Sequence, residues 1–197
     1  MSGPRVAAVV LAAGLSSRMG SNKLLADFHG QPLIAHTVGR IASAGVEAIF
    51  VVTGHQAELI KQALANAKVR FVHNDAYASG LAGSLRTGVE AVKDHDAILV
   101  CLGDMPLVNS ADLKRLISVY RDHQSIVAPV KDSQLGNPVL WGRAHFSELM
   151  SLAGDRGARG VLEANRNSIT KIEVGSDGVL LDADTPEALE NIRKLPD

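Results

Sequence analysis

Five apolar runs of strand length, at residues 6–11, 48–53, 69–73, 97–102 and 125–130, are separated by stretches whose apolar residues recur at helical spacing. Residues 32–44 place Ile34, Val38 and Ile41 on one face, and residues 56–66 do so with Leu59, Ile60, Ala63 and Leu64. Residues 83–93 carry Leu85, Val89 and Val92, while 110–121 carry Leu113, Leu116, Ile117 and Tyr120. Strands apolar on both faces, alternating with amphipathic helices, belong to a parallel sheet covered on both sides. Asn109, with Asp112 three residues on, reads as a capped helix start, and Gly45 stands where a helix should stop. The last third breaks the rhythm: strands are predicted at 138–141 and 168–174, and helices at 146–152, 158–165 and 186–194. With no linker, low-complexity run or internal repeat, residues 1–197 read as a single domain, an α/β three-layer sandwich around a mostly parallel, Rossmann-like sheet.

A chain of 197 residues is long enough to bury about 70% of its unfolded surface. A formal net charge of -1 argues against a broad nucleic-acid or anionic-membrane footprint, so any anion site must be a local pocket. No apolar run approaches the ~20 residues of a membrane span. The first apolar run leads straight into a small-residue loop and does not read as a signal peptide. Cys101 has no second cysteine to pair with and lies in the apolar run 98–102, as a buried strand residue. The expectation is a cytoplasmic protein with no nucleic-acid or membrane partner.

In an open parallel sheet, ligands bind beyond the carboxyl ends of the strands, near a switch in strand order. Three unusual loops fall on that edge: 14–23 after the first run, 73–84 after the third and 103–106 after the fourth. The first reads Leu11-Ala12-Ala13-Gly14-Leu15-Ser16-Ser17-Arg18-Met19-Gly20-Ser21-Asn22-Lys23. Small residues with exposed amides, followed by Arg18 and Lys23, suit a polyphosphate. The dinucleotide fingerprint does not fit, because Ser16 stands where its second glycine belongs; a Walker loop does not fit either, since Leu24 follows Lys23.

Asp104, in Gly103-Asp104-Met105-Pro106, is a carboxylate at the end of the strongest buried run. Beside a polyphosphate loop it suits Mg²⁺, which takes one or two protein carboxylates plus phosphate oxygens. A second carboxylate is expected from Asp182-Ala183-Asp184-Thr185-Pro186. Asp182 and Asp184 point to opposite sides if a strand continues to them, and both stay candidates. Asp184 or Thr185 can also cap a helix that begins at Pro186. Gly80 and Ser84, in a small-residue loop opening a helix, offer backbone groups and a hydroxyl near the helix start for hydrogen bonding. Histidines lack zinc-ligand spacing, and no nucleophile elbow occurs.

The thirteen-residue stretch 11–23 resembles the signature of nucleotidyltransferases, Leu-Ala-Ala-Gly-x-Ser-x-Arg-Met-Gly-x-x-Lys. The chain most resembles the molybdenum cofactor cytidylyltransferase family, within the MobA-like NTP transferase superfamily, from about residue 6 to 195. The resemblance implies a fold of the nucleotide-diphospho-sugar transferase type. It also implies a nucleotide-binding half, about 1–110, and an acceptor-binding half, about 111–197. The implied reaction is Mg²⁺-dependent transfer of CMP from CTP to molybdenum-molybdopterin, with pyrophosphate released; a molybdenum hydroxylase apoenzyme is a candidate partner. Leu11, Ala12, Ala13, Gly14, Lys23, Gly80, Ser84 and Asp104 are then nucleotide-binding. Arg18, Lys23 and Asp104 carry catalysis, and Asp104, Asp182 and Asp184 are metal candidates. Gly136-Asn137-Pro138 and Gly154-Asp155-Arg156-Gly157-Ala158-Arg159 resemble acceptor-side elements, giving Asn137, Pro138, Asp155, Arg156 and Arg159. Relatives often carry His where Asn137 stands. The same scaffold serves guanylyl- and sugar-1-phosphate nucleotidyltransferases, and a non-catalytic cofactor chaperone is a further alternative. Guanylyl-transferring relatives more usually read Leu-Ala-Gly-Gly where this chain has Leu11-Ala12-Ala13-Gly14.

Overall fold

The computed structural model describes residues 3–16, 21–154 and 157–195. Among the described residues there are ten strands: β1 (Val6–Ala12), β2 (Asp27–Phe28), β3 (Gln31–Pro32), β4 (Ala48–Thr53), β5 (Arg70–His73), β6 (Ala97–Leu102), β7 (Ile126–Lys131), β8 (Gln134–Leu135), β9 (Val139–Gly142) and β10 (Ile169–Glu173). The helices are α1 (Leu33–Ala42), α2 (Ala57–Ala63), α3 (Leu81–Ala91), α4 (Ser110–Ser118), α5 (Phe146–Met150), α6 (Arg159–Ala164) and α7 (Pro186–Arg193).

The main sheet runs β10-β7-β9-β6-β1-β4-β5, with β8 paired to β7. β5, β4, β1 and β6 are mutually parallel, as are β7 and β10; β9 lies antiparallel between β6 and β7. The mostly parallel sheet expected from the apolar alternation is therefore present. The chain leaves β1 for β4 and β5 on one side, then returns to place β6 on the other. That reversal opens a crevice at the carboxyl ends of β1 and β6.

Strand periodicity divides the core in two. Val6, Ala8, Val10 and Ala12 face α1, α2, α4 and α7 through Ile34, Val38, Ile60, Leu113, Leu116, Leu189 and Ile192. Ala7, Val9 and Leu11 face α3, α5 and α6 through Leu85, Val89, Phe146, Leu149 and Val161. This is the three-layer arrangement. Asn109 caps α4, its side chain accepting from the Ala111 amide at 2.8 Å, and Gly45, just beyond α1, adopts φ +86°.

Candidate active site

A 3₁₀ turn at Lys23–Leu25 follows the first loop. Asn22 caps that turn by accepting from the Leu24 amide at 3.1 Å, and the Lys23 amide donates to Ser16 Oγ at 3.2 Å. Lys23 is thereby aimed across the carboxyl end of the sheet. Its Nζ donates to both Asp104 Oδ2 and Asp184 Oδ1. Burial acts to lower the Lys23 pKa, but Asp104 and Asp184 together outweigh it and hold the ammonium above the ordinary lysine value.

Asp104 is held by its neighbours. The Gly103 amide donates to Leu11 O at 3.1 Å, while Thr37 Oγ1 donates to Gly103 O at 3.1 Å. A Cβ at Gly103 would lie 3.0 Å from Leu11 O and 2.9 Å from Ile34 Cδ1, so the backbone lies flush against β1 there. From the other side, the Ala183 amide donates to Asp104 O at 3.0 Å. This bond anchors Asp182 and Asp184 on either side of the fully buried Ala183.

No strand continues to these residues: 177–179 form a 3₁₀ turn and 180–184 are irregular. The condition for Asp182 and Asp184 facing opposite ways is not met, and both line one cleft. The backbone hydrogen bond to Asp104 sets their placement where sheet pairing would have alternated them. Burial raises the Asp182 pKa, reinforced by the charges of Asp184 and Asp104 and opposed by Lys23. Thr185, not Asp184, caps α7, accepting from the Ala188 amide at 3.1 Å.

The cleft has a volume of about 540 Å³. Leu11, Ala12, Ala13, Gly14, Lys23, Gly80, Ser84 and Asp104 all line it, with Asp182 and Asp184. A second cavity of about 820 Å³ shares Leu11, Leu81, Leu102 and Asp182 with the first. Asn137 and Arg159 line this second space, over apolar walls that include Leu85, Val139 and Trp141. Pro138 points away, beside Cys101 and Met105 on the opposite face of the sheet, because successive residues entering β9 alternate sides. Arg18, Asp155 and Arg156 lie outside the described residues. Tyr77, Ala78 and Leu81 in the first cleft, and Arg166 in the second cavity, were not singled out from the sequence. The flagged loop 73–84 contains the first three; an exposed arginine after a short helix gave no signal.

Among the described residues no three His, Cys, Asp or Glu side chains form a ready-made metal-binding group. The donor set nevertheless fits a hard cation. Two carboxylates from distant parts of the chain converge on one positive charge, for which the Lys23 ammonium stands in, and Asp182 lies beside them.

A glycine- and alanine-lined loop at the switch point, a lysine, a cluster of carboxylates and two contiguous cavities define a nucleotidyltransferase. The chain belongs to the MobA-like NTP transferase domain family, whose model matches residues 8–169. It is 34% identical over 141 residues to the bifunctional protein GlmU of Syntrophomonas wolfei, covering 71% of this chain and 31% of that protein. The chain thus spans about a third of the length of such curated relatives. Among solved structures, a nucleotidyl transferase of Methanothermobacter superposes with a TM-score of 0.86 at 29% identity, covering 97% of each chain. Rv0371c of Mycobacterium tuberculosis H37Rv gives 0.88 at 27% identity, covering 98% of this chain and 100% of the other; that protein also has a structure in complex with manganese. Among the described residues no helix is long and apolar enough to cross a membrane.

Proposed function

We propose that this chain transfers a cytidylyl group from CTP to a phosphorylated, molybdopterin-type acceptor. The observation that carries the reading is the contact of the two cavities at Leu11, Leu81, Leu102 and Asp182, beside the cluster of Lys23, Asp104 and Asp184. One space suits a nucleoside triphosphate. The larger one has apolar walls for a flat heterocycle and arginines at its rim for an anion. Leu11-Ala12-Ala13-Gly14 supports CTP over GTP.

A phosphate oxygen of the acceptor attacks the α-phosphorus; the new O–P bond forms as the bond to the bridging oxygen of the β-phosphate breaks, and pyrophosphate leaves. The nucleophile is already ionised, so no general base is needed. Asp104, with Asp184 or Asp182, would hold Mg²⁺, which would supply charge neutralisation for the triphosphate. Lys23, on nucleotide entry, exchanges its carboxylate partners for phosphate oxygens and balances the charge of the leaving group, a role we assign to Arg18 as well. Loop amides between Ala12 and Ser16 orient the phosphates, and Asn137 and Arg159, with Asp155 and Arg156, orient the acceptor.

The relationship to GlmU favours a second reading, transfer to a sugar 1-phosphate. Pyrophosphate release with Mg²⁺, comparing CTP, GTP, ATP and UTP against molybdenum-molybdopterin and a set of sugar 1-phosphates, separates the two. Release that needs both CTP and molybdopterin is expected. Release only with a sugar phosphate would replace this acceptor, and release with GTP would replace the nucleotide.

A further inference from the structure

Asn74 follows β5 and is 5% exposed, a buried amide the proposed chemistry does not use. Its Oδ1 accepts from the Ala76 amide at 3.1 Å, and its Nδ2 donates to Ser84 Oγ at 3.1 Å. The first bond fixes the second: a backbone N–H can only donate, so the atom facing Ala76 must be the oxygen, and the amide nitrogen must face Ser84. The site is pinned further by the Asn74 amide, which donates to Thr53 O at 2.8 Å. Packing is close as well. A Cβ at Gly83 would lie 3.3 Å from Ser79 Oγ and 3.4 Å from Asn74 Nδ2.

Ser84 stands in the first turn of α3, is 4% exposed and lines the cleft that also holds Lys23 and Asp104. Its oxygen accepts a hydrogen bond from Asn74, so its own hydrogen must point elsewhere. Among the described residues no acceptor takes it. A buried hydroxyl whose donor capacity is unused, on the wall of a ligand cleft, calls for an acceptor atom on the ligand.

From this geometry we infer that Asn74 is a positioning residue that sets Ser84 as a hydrogen-bond donor to the nucleotide. The inference rests on the reading of this cleft as the nucleotide site. Its chemical content is a polarity: the nucleoside atom opposite Ser84 is an acceptor, either an unprotonated ring nitrogen or a carbonyl or ribose oxygen. A nucleotide that places an N–H there would take the hydroxyl's remaining lone pair and leave its buried proton without an acceptor.

Asn74→Asp is the discriminating substitution. It keeps the acceptor for Ala76 but removes the donor toward Ser84, so the hydroxyl must turn its proton inward and show the ligand only lone pairs. Affinity for Mg²⁺–CTP, measured by titration calorimetry without an acceptor, should weaken about tenfold. The added charge would also repel a triphosphate, so the same substitution is made in a Ser84→Ala background. There the expected further loss is less than about twofold, because no hydroxyl remains to be turned. Equal losses in both backgrounds, or undiminished affinity in Ser84→Ala itself, overturns the inference. Should Asn74→Asp melt early, Asn74→Ala decides it: its loss is smaller, because the hydroxyl is released rather than turned, and it must still vanish in the Ser84→Ala background. Failure of the unmodified chain to bind any of CTP, GTP, ATP or UTP would instead overturn the nucleotide reading, and this inference with it.

Discussion

Lys23 is the residue on which the charge of the site turns. The sequence places it at the end of a phosphate loop, and the structure puts its ammonium between Asp104 and Asp184. Lys23→Met should therefore have two effects. Turnover should fall about 10²–10³-fold, the range for removing one preorganised charge partner. The nucleotide-free protein should also melt earlier in EDTA, by the equivalent of about 1–3 kcal/mol, because Asp104 is left buried without its cation. Mn²⁺ should recover part of that loss. The Lys23 pKa is raised in the fold, so its stabilising charge is in place below the ordinary lysine pKa of 10.5 and disappears only as pH climbs past it through the raised value. Melting curves should show the gap between variant and parent from neutral pH upward, closing only in that alkaline range. Asp182 has the opposite sign. Its pKa is raised by burial and by Asp184 and Asp104, so its ionised form disfavours folding above the ordinary carboxylate range. Asp182→Asn should raise the melting temperature at pH 7, by no more than the equivalent of about 1 kcal/mol because the carboxyl is only partly withdrawn from water. The gain should vanish as pH falls toward the carboxylate range; a gain constant with pH would remove charge crowding as its cause. Lining residues 11–14, 80, 84 and 104 were legible only in combination: small residues or an aspartate after a strand are ordinary turn chemistry, and the phosphate-loop pattern ending in Lys23 is what marks them as one site. Asn74 was not, since an asparagine after a strand looks like any turn residue until its two hydrogen-bond partners are seen.

Elements that bury an apolar face announce themselves by period, and those that do not stay hidden. The parallel strands β1, β4 and β6 are legible because both faces are covered, giving continuous apolar runs. The direction of β9 is a different matter. Its run of Val139, Leu140 and Trp141 shows a buried strand, but its antiparallel setting between β6 and β7 comes from pairings with residues some forty positions earlier and a dozen earlier. β2 and β3 are two residues each, joined at His29 and Gly30 with φ +50° and +85°, too short for any period to show. Helix α7 was legible twice over, from Thr185-Pro186 at its start and from Leu189 and Ile192 on its buried face. Thr185→Ala removes the acceptor for the Ala188 amide and should cost about 1 kcal/mol, a fall of about 2–4 °C in melting temperature by calorimetry. Because Asp184 immediately precedes the cap, Mn²⁺ affinity should weaken with it. An unchanged melting temperature would show that the cap does not hold the helix.

At the scale of the whole molecule, the site draws on both ends of the chain. Lys23 lies near the beginning, Asp104 in the middle and Asp184 close to the end, and the three meet because the final segment returns to the first strands. Ala183, Leu189 and Ile192 share one core with Val6, Ala8 and Val10. Gly136 and Gly178 show how closely that return is fitted: a Cβ would come within 2.5 Å of Val179 O at the first and 2.0 Å of Leu107 O at the second. The sequence suggested a division near residue 110 into nucleotide and acceptor halves, and the physics of the sheet sets what that division can mean. Cutting there would strip β9 from β6, leaving Ile98, Leu99 and Val100 on an unpaired edge, and would remove α4 and α7 from one face and α5 and α6 from the other. We therefore expect residues 1–110, expressed alone, to collect in the insoluble fraction and, once refolded, to bind no CTP. A soluble 1–110 fragment with a cooperative melting transition and CTP affinity near that of the full chain would mean that the two halves fold independently, and that the carboxylates of the last segment contribute nothing to holding the nucleotide.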